Sequence, residues 1–364
     1  MLIVMKELVL FLMVSLFCLG LSAQEKIRQP VDTIGFATRA WQMDSIMRRI
    51  YRTYGPGIAS ANKVNMLNGK TAFRLAICPH DDYTYAGFLY ESVLSHISAK
   101  TVIIFGVAHK AKKFGVEQKL VFDSFNEWKE PYGNIKISPL RDDIIKNLPK
   151  EDYIIHDSLQ QAEHSVEALV PFLQYYNRDV QIIPILIPYM DFEMMEKYSA
   201  DLAKVIAGVM KKNDLKWGND FALVISNDAV HYGDEDWGGK NYATYGCDTA
   251  GYQQAVNHEN EIISNSILPM LDTASIHKFF NYTVQPGNWH DYQWPWCGRY
   301  SVPFGLLTGM YLGQIRGSYK LKGIQMGYAT SIAHNPLPVE DLIMGKTAVA
   351  TLHHWVGYAG IGYK

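Results

Sequence analysis

Side chains that bind metals or move protons stand at the ends of apolar runs in this chain. His80 follows the run 71–78, and His109 follows the run 101–106. Asp228 and His231 follow the run 221–227, and Cys297 opens a helix-like segment after an aromatic stretch. Imidazoles, a thiol and a carboxylate are the donors that a transition-metal site uses. In an open α/β sheet the carboxyl ends of the strands meet along one edge, and ligands bind there. Side chains remote in sequence can therefore share one pocket.

Each motif also has a plainer reading. In Cys78-Pro79-His80-Asp81-Asp82 a strand stops at Pro79, and Asp81, Asp82 or Thr84 can cap the helix that follows. His80 is then a metal ligand or an incidental member of a capped turn. In Gly106-Val107-Ala108-His109 the neutral imidazole would supply a second ligand. Asp228 and His231 are three apart and share a face if the segment turns helically. An Asp bonded to one ring nitrogen would fix the tautomer and raise the basicity of the other, making His231 a candidate general base or acid. Cys297 lies near a helix start beside Arg299, where a thiolate is favoured, which suits ligation or nucleophilic attack. Arg299 can instead hold a substrate carboxylate. In Glu163-His164-Ser165-Val166-Glu167 the glutamates complement a helix dipole, and His164 can reach the pocket mouth as a proton-shuttling group. The tryptophans of the stretch 287–296, Trp296 among them, either wall a pocket or pack a lobe onto the core. The argument for chemistry rests on recurrence: one residue class returns at one topological position.

The elements that must position these residues alternate along the chain. Residues 39–54 read as an amphipathic helix with Ile46, Met47, Ile50, Tyr51 and Tyr54 at helical spacing, ended by Gly55-Pro56-Gly57. Strands are expected at 74–78, 101–105, 180–187 and 221–226. Helices are expected at 86–97, 162–176, 192–212, 249–270 and 301–314, and closing strands at 318–328 and 347–356. Pro184 inside one run suggests an edge or a bulge. The alternation implies parallel pairing through crossovers. The expected fold is a single α/β domain over 71–364, a central, mostly parallel or mixed sheet with helices on both faces. It is preceded by an N-terminal extension, 24–70, carrying the one amphipathic helix.

Residues 8–21 are almost wholly apolar but short of the roughly 20 residues that a membrane span needs. With Lys6 before and Ala23 after, segment 1–23 reads as a secretory signal, and export to a periplasmic or extracellular space is expected. Phe17 is too bulky to precede a lipidated Cys18. Cleavage leaves Cys78, Cys247 and Cys297, an odd number that argues against a disulfide scaffold. A formal charge of −2 gives no basic excess for holding nucleic-acid phosphates, and 48% hydrophobic residues suffice for a large core. The expected partner is a small molecule or a peptide.

The series Pro79-His80-x-x-Tyr83-x-Tyr85-x-Gly87, Gly106-x-x-His109, Glu163-His164-Ser165-x-Glu167, Ile183-Pro184-Ile185-Leu186, Ser226-x-Asp228-x-x-His231-Tyr232-Gly233, Cys297-Gly298-Arg299 and Gly327-Tyr328-Ala329-Thr330-Ser331 resembles the Memo family, also called AmmeMemoRadiSam system protein B. The resemblance implies a fold similar to the LigB-like class III extradiol dioxygenases, whose non-haem iron is held by two His and a carboxylate. By that likeness His80 and His109 are metal ligands and Cys297 replaces the carboxylate. By the same likeness His231 is the acid/base supported by Asp228; from the residues themselves His164 is expected to assist, and Tyr83, Arg299 and Trp296 are expected substrate contacts. Iron is the expected cofactor, with copper or zinc favoured by the softer thiolate. The chain departs from the family at Asp81-Asp82, where small residues are usual, and at Lys110. Rival readings are a non-catalytic peptide or small-ligand binder, a zinc-type metallohydrolase, and a thiol nucleophile at Cys297.

Overall fold

The computed structural model describes residues 26–317 and 320–364. Segment 1–23, read from the sequence as a secretory signal, lies outside the described residues. Helix α1 (Ala40–Val64) leads to strand β1 (Leu75–Cys78), helix α2 (Tyr83–Leu94) and strand β2 (Thr101–Val107). After short connecting elements come helix α3 (Val170–Tyr176), strand β3 (Gln181–Ile187), helix α4 (Phe192–Lys212), strand β4 (Phe221–Ser226) and strand β5 (His231–Gly233). Helices α5 (Thr249–Ile262) and α6 (Ser301–Ile315) and strands β6 (Ile324–Thr330) and β7 (His354–Tyr363) complete the unit.

These strands belong to one 12-stranded mixed sheet whose parallel centre runs β3–β2–β4–β1. Beyond β1 the sheet turns antiparallel. Ile361 of β7 pairs with Ile77 of β1 on one side and Gln325 of β6 on the other, and the start of β7 pairs with β5. Every residue of the four central strands is buried except Gln181 at the start of β3. Both faces are covered, so these strands read as continuous apolar runs. The side chains nevertheless sort by the two-residue period. Leu75, Ile77, Ile103, Phe105, Leu223 and Ile225 face α4 and α6, whereas Ala76, Cys78, Val102, Ile104 and Val224 face α1, α2 and α3. Hydrophobic burial on both sides thereby fixes the register, since a one-residue slip would exchange the two sets.

Some boundaries differ from expectation for local physical reasons. Helix α1 passes through Pro56 rather than stopping at residue 54. Pro56 is exposed, and its neighbours Gly55 and Gly57 carry no side chain to crowd the ring; the buried Met43, Ile46, Met47 and Ile50 hold the helix from its first half. Pro184 sits inside the sheet, paired with Ile104 on one side. On the other side one neighbouring strand pairs up to Ile182 and another only at Leu186, so the missing N–H falls where the ladder is interrupted. The expected helix 162–176 is instead a helix at Asp157–Ala162, a loop, a single turn at Glu167–Leu169 and α3. The closing strands lie later than expected, as β6 and β7. The extension is woven into the domain: Ile27–Arg28 pairs in parallel with Glu127–Trp128, and α1 packs on α2. Among the described residues no helix is long and apolar enough to cross a membrane.

Candidate metal centre

Strands β2, β4 and β1 are adjacent and parallel, so their carboxyl ends share one edge. His80 and Asp228 follow β1 and β4 by two residues, and His109 follows β2 by two. They border a cleft of about 470 Å³ that also takes in His164, His231 and Cys297, with Trp237, Tyr242 and Tyr292 as aromatic walls. Cys297 reaches this edge because its backbone N–H donates to Asp228 O at 3.1 Å and that of Gly298 to Asn227 Oδ1 at 2.9 Å. A Cβ on Gly298 would stand 2.2 Å from that same oxygen, so only glycine permits the approach.

The sulfur lies 3.4 Å from His109 Nε2 and 2.9 Å from His231 Nε2. Ligand atoms of His80, Asp228 and Cys297 lie within 4.8 Å of one another, as do those of His80, His109 and His164. Two of the imidazoles have their outer nitrogen occupied. Ser226 Oγ donates to Ser165 O, so its lone pair accepts the Nδ1–H of His80 at 2.8 Å. Glu163 Oε1 accepts the Nδ1–H of His109 at 2.8 Å. Both rings therefore carry the tautomer that leaves the Nε2 lone pair free. His109 Nε2 faces the sulfur, and His80 Nε2 lies 3.3 Å from Asp228 Oδ2.

Burial shapes the electrostatics. It pushes the His80 imidazole well below its ordinary value, with His109, His164 and His231 adding repulsion. Burial, then repulsion from His109, His354 and His164, lowers His231 to about 3. Burial, then Asp228, Asp81 and Glu163, pushes the Cys297 thiol well up, and the pull of Arg299 is the smallest influence. Burial and Asp81 also raise the Asp228 carboxyl. Neutral imidazoles are in the form that ligates a cation, and the cation's positive charge would favour the thiolate that burial disfavours. The donor set therefore fits a divalent metal.

The structure brings His80, His109, His164, Asp228, His231 and Cys297 to the lining of one cleft, and redirects some expected contacts. Asp228 does not support His231. Residues 231–233 form a strand rather than a helical turn, and the Asp228 carboxylate instead accepts the His80 backbone N–H at 2.9 Å. Cys297 precedes α6 by four residues and gains no thiolate character there. Tyr83, Arg299 and Trp296 do not line the cleft. Tyr83 donates to Ala168 O, and Trp296 donates to Glu259. The Arg299 guanidinium stacks 3.4 Å over Tyr292 and borders a neighbouring cavity. Glu163, taken for a dipole partner, is the buried acceptor that orients His109. Asp82 was expected as a cap, yet its side chain makes no cap bond and accepts Thr347 N–H at 2.6 Å on the cleft wall. Asp32 and Phe36 of the extension complete that wall, with Asp32 Oδ2 3.3 Å from His164 Nδ1. Only its position beside a paired His marks Glu163 in the sequence, and nothing there marks Asp32.

The sequence pattern of the family described as Memo-like protein matches residues 39–335. The chain belongs to the Memo-like family. A MEMO1 family protein of Methanosarcina mazei is 30% identical over 160 residues, covering 43% of this chain and 54% of its own. One from Saccharolobus islandicus is 32% identical over 163 residues, covering 43% and 52%, and one from Pyrobaculum aerophilum is 27% identical over 166 residues, covering 44% and 54%. This Memo-like chain thus spans about half the length of the curated relatives it matches.

Proposed function

We propose that this Memo-like protein is a metal-dependent oxidoreductase of the dioxygenase-like type, acting on a small molecule or peptide in the aromatic-walled cleft. The observation that supports this reading is the convergence of His80, His109 and Cys297 on one cleft, the Cys297 sulfur 3.4 Å from His109 Nε2 and within 4.8 Å of a His80 ligand atom, with Nδ1 of both histidines engaged by Ser226 and Glu163. These three side chains would hold a divalent cation, iron first, which supplies Lewis acidity and one-electron chemistry when bound. His231, neutral and 2.9 Å from the sulfur, accepts and returns protons at Nε2. Glu163 and Ser226 hold the two ligand rings in register, and Tyr242 and Tyr292 exclude water from one side. The thiolate favours a second reading, a zinc hydrolase using the same residues, which needs no O2. The signal-like segment 1–23 supports reading the activity as that of an exported protein.

Elemental analysis of protein purified without a chelating tag is the test. A metal content that falls by one equivalent in His80→Ala supports the centre; a content and uptake that His80→Ala leaves unchanged refutes it. O2 consumption with catechols separates oxidoreductase from hydrolase.

A further inference from the structure

A second set of ligand-type side chains lies outside the central cleft. Asp234, Cys247 and His353 come from three separate segments: the turn after β5, the loop before α5 and the turn into β7. Asp234 Oδ1 lies 2.7 Å from His353 Nδ1 and 3.2 Å from Cys247 Sγ, and one ligand atom from each residue lies within 4.8 Å of both others. Metal–nitrogen and metal–oxygen bonds of about 2.0–2.2 Å and a metal–sulfur bond of about 2.3 Å place tetrahedral ligands roughly 3.3–3.8 Å apart. Small side-chain rotations bring the three atoms to that spacing. Asp234 and His353 are 38% and 48% exposed, which leaves the fourth vertex to water.

A surface Asp–His pair alone is the plain reading, but it needs neither the thiol nor the backbone arrangement beneath it. The N–H groups of Asp234 and Glu235 both donate to His353 O. Gly233, at φ +131°, lies so close that a Cβ would meet that carbonyl at 1.9 Å. The main chains bearing two of the ligands are thus pressed together without help from the side chains, and a cation there would meet a preformed site. The same loop continues into Asp236 and Trp237, both on the wall of the central cleft. The Trp237 ring stacks on His354 at 4.0 Å and packs against His231 at 5.0 Å.

We propose that Asp234, Cys247 and His353 form a second metal site, for a zinc-class divalent cation, that clamps the Trp237 wall of the cleft. Cys247 binds as thiolate, its proton passing to solvent from this open position. Nothing in this assignment depends on what the central cleft catalyses.

Zinc titration of the full chain against a chromophoric chelator tests it, with Cys247→Ser, His353→Gln and Cys297→Ser compared. Wild type is expected to take two equivalents; Cys247→Ser and His353→Gln each lose one, and Cys297→Ser loses the other. With cobalt(II) as probe, the thiolate charge-transfer band persists in Cys297→Ser and vanishes when Cys247→Ser is added. Circular dichroism of the metal-free variants controls for folding. Stoichiometry and cobalt spectrum unchanged by both Cys247→Ser and His353→Gln overturn the proposal. Failure of the central site alone would appear as a single equivalent still sensitive to Cys247→Ser.

Discussion

Glu163 shows how a single buried residue can orient a candidate ligand ring. Its Oε1 accepts from His109 Nδ1 and from the backbone N–H groups of His164 and Ser165. Glutamine keeps the size but lacks the charge that raises the basicity of the ring. Glu163→Gln is therefore expected to weaken metal affinity about 10–100-fold, read by chelator competition, with the fold intact. An unchanged affinity would leave Glu163 a purely structural acceptor. The residue types of the centre were legible from their recurrence after strands, because strand ends converge by topology. Their partners were not: Asp228 turns to His80, and Tyr83 and Trp296 spend their polar atoms elsewhere. Such pairings depend on loop paths, which periodicity does not encode.

At the scale of elements, helix α5 braces the wall that carries Cys297. Its Glu259 is fully buried and accepts both the Trp294 and Trp296 indole N–H groups at 2.6 Å, with Val230 N–H and Tyr328 O–H on the other oxygen. Burial nonetheless outweighs these donors and raises its pKa from 4.5 to about 7. The folded protein thus holds a proton on Glu259 at a pH where the unfolded chain has released it. Through this group stability falls as pH rises from 4.5 to about 7 and is level on either side. The difference amounts to ~3 kcal/mol. Thermal melts across this window should show a shallower slope in Glu259→Gln than in wild type; parallel curves for the two would contradict the assignment. The parallel strands and α4 were readable as apolar runs and a 3.6-residue period. The course of 157–176 and the passage of α1 through Pro56 were not, because tertiary packing overrode local propensity there.

Across the whole molecule, chain outside the family match supports the centre. Arg28, before residue 39, is buried against Trp128 at 4.1 Å. It donates to Gln160 O at 2.9 Å, to Glu167 at 2.6 Å and to Glu163 O, and so fastens the loop that bears Glu163 and His164. Removing one partner of a buried charge pair strands the other. Arg28→Met is expected to cost about 3–5 kcal/mol in denaturant unfolding and to loosen metal binding along with it. A loss below 1 kcal/mol would mean that the extension is only draped over the domain. Beyond residue 335, β7 pairs with β1, β5 and β6 and brings His354 against the Trp237 ring on the cleft wall. The single α/β architecture was evident from strand–helix alternation. The integration of 26–64 was not, since a two-residue strand and a buried arginine leave no pattern in sequence.

X-ray absorption at the iron edge of the iron-loaded Cys247→Ser protein tests the central claim most directly, because that variant removes the second site's sulfur. A coordination shell with two imidazole nitrogens and one sulfur at about 2.3 Å, the sulfur disappearing when Cys297→Ser is added, is the predicted result. A shell of oxygen and nitrogen alone, indifferent to Cys297→Ser, would contradict it.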